Sequence, residues 1–332
     1  MSPRLLVVGG TQFLGRHVVD DAVRRGYSVT TFNRGVTGLD DPRVEALHGD
    51  RTEEKAWTEV VTRGPFDLVV DTCGYVPRVV LASARALEPV ADRYVFVSSI
   101  SAHPEPYDVP MSAASAVSTC APDAGPDDGD YGVLKAGCEN AVSSVFGRRG
   151  TVVRPGLILG PWESIGRLPW WLDRMSRGGE VLAPGADNRP FQAVDARDLA
   201  AFCLTAGEVG AAGPFDVVCH PGRDSWGDLL ALAADATGGG ATLRWVDDQT
   251  LLDAGVEPWS ELPMWLPPDP AFAHFLDVDP SHAEAAGLRC RPLAETVAET
   301  WSWQQSLTEP FRLAEGHGLD AEKESALLRL SP

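Results

Sequence analysis

Residues 4–19 read RLLVVGGTQFLGRHVV. Leu5 to Val8 is an apolar run too short for a helix and consistent with a strand buried on both faces, as in a parallel sheet. Gly9, Gly10 and Thr11 then turn the chain. From Phe13 the apolar positions Leu14, Val18 and Val19 suit a helix packed back on that strand. Gly15 in its first turn allows close helix–strand contact. Strand, glycine turn and helix together set free backbone N–H groups and a positive helix end against a pyrophosphate. A G-x-x-G-x-x-G spacing started at Gly9 has Gln12 where the second glycine would stand.

Outward from this unit, Tyr27–Phe32 reads as a second strand ending at Asn33-Arg34-Gly35. Dinucleotide folds often place an acid here for the ribose hydroxyls of NAD. Neutral Asn33 and cationic Arg34 stand there instead, and the planar fork of an arginine can pair with a 2′-phosphate. That favours NADP(H) over NAD(H). Val44–His48 is a short third strand ending at Gly49-Asp50-Arg51. Asp50 is placed to accept a hydrogen bond from an adenine amino group, or to cap a helix from Glu53. Arg51 belongs to the same expected cofactor edge. Phe66–Asp71 is a fourth strand, closing in Thr72-Cys73-Gly74-Tyr75, where Cys73 and Gly74 let backbone approach a cofactor. Arg93–Ser98, Thr151–Arg154 and Pro214–Cys219 complete the strands. Strands separated by helical segments indicate an α/β fold with a doubly wound parallel (Rossmann) sheet, and the change of composition past Trp162 marks a smaller C-terminal lobe, expected to hold substrate. The dinucleotide-binding lobe is expected over 1–160, with strands returning near 191–219, and the substrate lobe over 161–332.

The carboxyl ends of such strands line the ligand crevice. The fifth strand ends in Ser98-Ser99-Ile100-Ser101, and a polar loop leads to Tyr131-Gly132-Val133-Leu134-Lys135 at the head of a helix. Tyr131 and Lys135 are four apart and share a helix face. A free tyrosine has a pKa of about 10, and a nearby ammonium lowers it. Tyr131 is therefore the candidate acid/base, Lys135 its partner and a holder of the nicotinamide ribose, and Ser99 the group that holds a substrate oxygen.

GGTQFLG, the Gly-Asp at Asp50, VSS at Ser99 and YGVLK at Tyr131 together resemble the extended short-chain dehydrogenase/reductases of the NAD-dependent epimerase/dehydratase type. The sequence is most similar to the branch of isoflavone-reductase-like and chloroplast stem-loop RNA-binding-protein-like members, over most of its length to about Trp303. The resemblance implies Tyr131, Lys135 and Ser99 as the catalytic set. It places Gly9, Gly10 and Gly15 on the phosphate loop, with Thr11, Gln12, Phe13 and Leu14 between them. It also implies nicotinamide contact near Pro155. Two positions depart from the family pattern: Gln12 replaces a glycine, and His103 stands where many epimerases carry a tyrosine. His103 is thereby a candidate substrate contact. Gly156 and Leu157 follow Arg154-Pro155 where sugar-nucleotide epimerases commonly have an asparagine.

Past Trp162 the chain is rich in tryptophan and proline, including LPMWLPPDP over 262–270. Trp162, Trp170, Trp171, Trp259 and Trp265 suit either the wall of a small-molecule pocket or a core. Trp162 and Arg189 are the substrate candidates, Arg189 by its place in a segment resembling the family's substrate edge, with Arg167 next in line. Ser225–Ala234 and Leu293–Trp303 read as amphipathic helices, and the tail after Pro310 as helical at Ala321–Leu330, packed on the surface.

With 28 Lys+Arg against 47 Asp+Glu, the formal net charge of −19 excludes the basic footprint that nucleic acid needs and disfavours an anionic membrane. No apolar run reaches transmembrane length and no signal peptide is read. Six scattered cysteines without C-x-x-C fit reduced thiols in a cytoplasmic protein, and no metal site is expected. The expected activity is hydride transfer between a nicotinamide cofactor and a carbonyl or secondary alcohol of a small molecule. An epimerase or dehydratase with recycled cofactor uses the same residues, although a dehydratase would need an acid/base pair beside Ser99 that Ile100-Ser101 does not offer. A cofactor sensor or RNA-binding protein on this fold is the non-catalytic alternative. A homodimer is compatible with the sequence, which does not fix the oligomer.

Overall fold

A computed structural model describes residues 2–309, 311, 313 and 316–330. The outer ends of the two expected lobes, Met1 and Ser331-Pro332, and Pro310 at the head of the tail lie outside the described residues. Seven strands form the central sheet: β1 (Arg4–Val8), β2 (Ser28–Asn33), β3 (Glu45–His48), β4 (Leu68–Asp71), β5 (Tyr94–Val97), β6 (Gly150–Pro155) and β7 (Gly213–Val217). All pairings are parallel, in the order β7-β6-β5-β4-β1-β2-β3. The chain builds outward from β1 to β3, returns, and builds the other way from β4. The reversal lies between β1 and β4, where a doubly wound sheet opens its crevice. The expected strands are present with ends shifted by a residue or two. Phe66, for example, joins the sheet only through an isolated bridge to Ala91.

The helices that matter for the site are α1 (Phe13–Arg24), α2 (Ala56–Thr62), α3 (Pro77–Leu87), α4 (Tyr131–Phe146), α5 (Arg167–Ser176), α6 (Ala196–Val209), α7 (Trp226–Thr237), α8 (Leu293–Gln305) and α9 (Ala321–Leu330). Side chains alternate across the sheet. Leu5 and Val7 pack with Leu14, Val18 and Val19 of α1 and Leu199, Phe202 and Cys203 of α6. Leu6 and Val8 pack on the other face with Trp57 and Val60 of α2, Val80 and Ala84 of α3 and Cys138 and Val142 of α4. β1 is thus apolar at four successive positions because both its faces are covered. Fully burying each such side chain stabilises the fold by roughly 1.5–3 kcal/mol.

A separate core joins α5, α7, α8 and α9 around Trp171, Trp226 and Trp265. Trp170, Trp171 and Trp265 belong to this core and not to a pocket wall. α9 does not merely lie on the surface: Leu327 enters the core, and buried Glu324 pairs with Arg174 of α5 at 2.7 Å. The periodicity of ten residues cannot reveal a partner 150 positions away.

Candidate active site

A cavity of about 930 Å³ opens at the carboxyl ends of β1, β2, β4, β5 and β6. Its first wall is the turn after β1. Gly9 and Gly10 have φ of +112° and +102°, a backbone open to glycine. A Cβ on Gly15 would lie 2.7 Å from the Gly10 nitrogen, so α1 can press on the turn only with glycine there. α1 then starts at Phe13 with no side chain capping its N-terminus. Gly9, Gly10, Thr11, Gln12, Phe13, Leu14 and Gly15 all line the cavity. The uncapped helix end and the tight turn leave N–H groups for an anion. Gln12 at the N-cap position is exposed and leaves the turn open.

Asn33, Arg34, Asp50 and Arg51 line the cavity beyond this turn. The Asn33 side chain accepts from the Gly35 N–H at 2.7 Å and donates to Asp40 at 3.2 Å, so it shapes its own loop. Asp50 accepts from the N–H and hydroxyl of Thr52 at 2.9 and 2.7 Å, which hold it below the usual carboxylate range. It caps a turn, and the following helix starts only at Ala56. Arg51 is clasped by Asp71 at 2.9 and 2.8 Å, with Ser83 at 2.8 Å. Burial, the largest influence, would raise the Asp71 pKa, but the Arg51 charge together with hydrogen bonds from Arg51, Tyr94 and the Cys73 N–H outweighs it and keeps the carboxylate ionised. This pair locks the end of β4, and Cys73 just beyond it also lines the cavity.

The catalytic candidates meet on one wall. Asp130 caps α4 by accepting from the Val133 N–H at 2.9 Å, which fixes Tyr131 as its first residue. A Cβ on Gly132 would come 2.1 Å from the Ser101 carbonyl oxygen, so a glycine there lets the segment after β5 lie against the helix. Ser99, whose hydroxyl accepts from the Ser101 N–H at 3.1 Å, thereby faces the same cavity as Tyr131, near enough to pull the phenol's pKa down. Lys135 is buried, and its Nζ donates to the carbonyls of Gly74 at 2.9 Å and Val97 at 2.7 Å above the Phe96 ring. Desolvation brings its pKa down to about 8. Ser99, Tyr131, Lys135 and Pro155 all line the cavity. One expectation changes: the Tyr131 phenol is raised above its ordinary pKa, by desolvation first, with the Ser99 hydrogen bond pulling the other way. Lys135 directs two of its protons to carbonyls and does not depress the phenol in this state.

Four predicted residues lie elsewhere. Gly74 does not line the cavity, because its carbonyl is turned to Lys135. His103 is buried behind the wall, with Nδ1 2.9 Å from the Ala116 carbonyl and Nε2 3.2 Å from Asp216 of β7. Trp162 is held at φ +69° and stacks under the Arg16 guanidinium at 3.8 Å, in a separate hollow shared with Trp303. Arg189 pairs with Asp248 at 2.5 Å and with the Leu266 carbonyl, binding segments of the C-terminal lobe to one another. Sequence reading also missed Glu163, Ile165 and Phe275, which line the cavity with Arg167 and Trp259. The Glu163-x-x-x-Arg167 spacing was the available signal.

The turn without room for side chains, the uncapped helix end and the buried ammonium fit a dinucleotide with a nicotinamide. Among the described residues no helix is long and apolar enough to cross a membrane, and no cluster of His, Cys, Asp or Glu suits a metal ion.

The chain is similar to the chloroplast stem-loop binding protein of 41 kDa b of Arabidopsis thaliana, 26% identical over 211 residues, 59% of this chain and 53% of that protein. The chain spans about half the length of the curated relatives it matches. Among solved structures it is similar to the UDP-glucose 4-epimerase of Thermotoga maritima with UDP-glucose (17% identity, TM-score 0.65, covering 91% of this chain and 98% of that one). It is also similar to the enzyme WbmG of Bordetella bronchiseptica in complex with NAD (16% identity, TM-score 0.68, 92% and 94%). At these identities the likeness carries the fold. A family match over residues 5–218, from the first strand of the sheet to the end of its last, shows that the chain belongs to the NAD dependent epimerase/dehydratase family.

Proposed function

We propose that this chain interconverts a carbonyl and a secondary alcohol on a small molecule, using a nicotinamide cofactor and Tyr131 as the acid/base. The observation that carries the reading is the convergence of Ser99 and Tyr131 on the cavity that is also lined by the glycine turn and Lys135. The bound nicotinamide supplies or accepts the hydride. Tyr131, its phenol raised and therefore protonated at neutral pH, gives a proton to the oxygen of a carbonyl being reduced. Ser99 holds that oxygen. The half-exposed phenol regains its proton from solvent. Lys135 keeps one N–H beyond the two bound to carbonyls, available to a ribose hydroxyl. A net charge of −19 supports a small-molecule partner over RNA.

A second reading is an epimerase that returns the hydride to its own substrate. It is favoured by the family and by the epimerase names of several similar structures. The two are separated by whether cofactor is consumed when carbonyl compounds are screened with the enzyme.

The cofactor of this reading is NADP(H) in preference to NAD(H). Arg34 is exposed, lines the cavity at the end of β2, and has no hydrogen bond or salt bridge among the described residues. Arg34→Ala should weaken NADPH by about 1.5–3 kcal/mol, the loss expected for a charge-assisted hydrogen bond, and leave NADH nearly unchanged. Calorimetric titration of both cofactors checks this. Equal small losses would mean that Arg34 is an ordinary loop residue.

A further inference from the structure

The C-terminal lobe contributes a distinct wall to the cavity. Trp259 and Phe275 form its aromatic face, with ring centroids 6.1 Å apart and planes at 77°. Trp259 is held at φ +66°, in a left-handed backbone that a bulky residue adopts only where its surroundings enforce it. Its N–H donates to the carbonyl of core residue Trp265 at 3.0 Å.

Arg167, which lines the same cavity, opens α5. Glu163, fully buried, accepts from Arg167 Nε at 2.9 Å and from the backbone N–H groups of Arg167 and Leu168 at 3.0 and 3.3 Å. The carboxylate is thus satisfied by the helix end and by one nitrogen of the guanidinium. The two terminal nitrogens, Nη1 and Nη2, have no partner among the described residues, and Arg167 lines the cavity. The other cations there are engaged or distant from this wall. Arg51 is clasped by Asp71, Lys135 by two carbonyls, and Arg34 stands at the end of β2. The Arg167 charge is also felt at the Tyr131 phenol.

We propose that the substrate is a small oxo or hydroxy acid carrying a planar apolar group. Its carboxylate lies on the Nη1–Nη2 edge of Arg167, its planar group lies against Trp259 and Phe275, and its reacting oxygen reaches Ser99 and Tyr131. The last of these placements rests on the reading of Tyr131 as proton donor. An arginine edge pairs with a carboxylate through two parallel N–H bonds. A phosphate dianion fits less well, because Glu163 already balances much of the single positive charge.

The test is calorimetric titration of the full chain, with NADP+ present so that no oxo acid is reduced, by phenylpyruvate, benzoylformate and indolepyruvate, each against its amide, and by phenyl phosphate, followed by a turnover assay of the same acids with NADPH. At least one acid should bind tenfold or more tighter than its amide and tighter than phenyl phosphate. R167Q should bring acid and amide within about twofold, R167K should restore part of the preference, and W259A should weaken both members of each pair. Acids and amides of equal affinity, an absence of binding by every acid, or tighter binding of phenyl phosphate would overturn the proposal. Y131F separates this inference from the proposed reaction, since it should keep the acid preference and lose turnover. A preference for acids in a wild-type protein that reduces none of them would refute the reaction and leave the carboxylate pocket standing.

Discussion

Tyr131→Phe should lower the rate of cofactor-dependent carbonyl reduction about 10²–10⁴-fold, the usual share of a positioned general acid. Phenylalanine keeps the ring but lacks the group that exchanges a proton. Tyr131 is 52% exposed at the head of α4, where the helix is capped by Asp130, so the fold should not notice the change. Cofactor affinity should also hold, because the proposed grip on the dinucleotide is by the turn after β1 and by Lys135. Ser99→Ala should cause an overlapping loss, since both hydroxyls serve one oxygen. The wild-type rate in the reducing direction should decline above about pH 8. Lys135, brought down to about 8 by burial, loses its charge there and with it the strength of its ribose contact. Steady-state kinetics over pH checks the three together. A Tyr131→Phe enzyme running at the wild-type rate would remove the phenol from the proton path.

Gly15→Val should weaken dinucleotide binding at least about 100-fold, or about 2.8 kcal/mol. The first atom of any side chain would stand 2.7 Å from the Gly10 nitrogen and 2.9 Å from its Cα. Both neighbours are backbone, so no rotamer relieves the contact, and the helix must lift off the turn proposed to hold the phosphates. The same displacement would disturb Leu14 and Val18 in the core below. Far-ultraviolet circular dichroism separates a misplaced turn from a failed fold, and Gly15→Ala gives a smaller version of the same strain. Unchanged affinity in a folded Gly15→Val protein would place the cofactor elsewhere.

The sheet was legible because its strands are short apolar runs, which is what burial on both faces demands. The glycine turn was legible because only residues without side chains fit there. Tyr131 and Lys135 were legible as a pair, since helix geometry fixes four-residue spacing. The direction of the phenol's pKa was not, because it depends on where the Lys135 ammonium ends up, and two carbonyls from β5 and the β4 loop decide that. The substrate wall was the least legible part. Arg189 meets Asp248 across 59 positions and His103 meets Asp216 across 113, so neither pairing leaves a local trace. Trp162 and Trp259 look alike in sequence, yet one stacks on Arg16 outside the site and the other faces the cavity. In the sequence Asp71 is only the end of a strand, and its hold on Arg51 appears once β3 and β4 lie in the same sheet.

The most direct test of the account is isotope transfer from nicotinamide-deuterated NADPH to a carbonyl compound, followed by mass spectrometry in the wild type and Tyr131→Phe. The account predicts one deuterium on the alcohol carbon, one cofactor oxidised per alcohol formed, and a sharp loss in Tyr131→Phe. Cofactor that binds in the cavity but delivers no deuterium to any carbonyl carbon would contradict it.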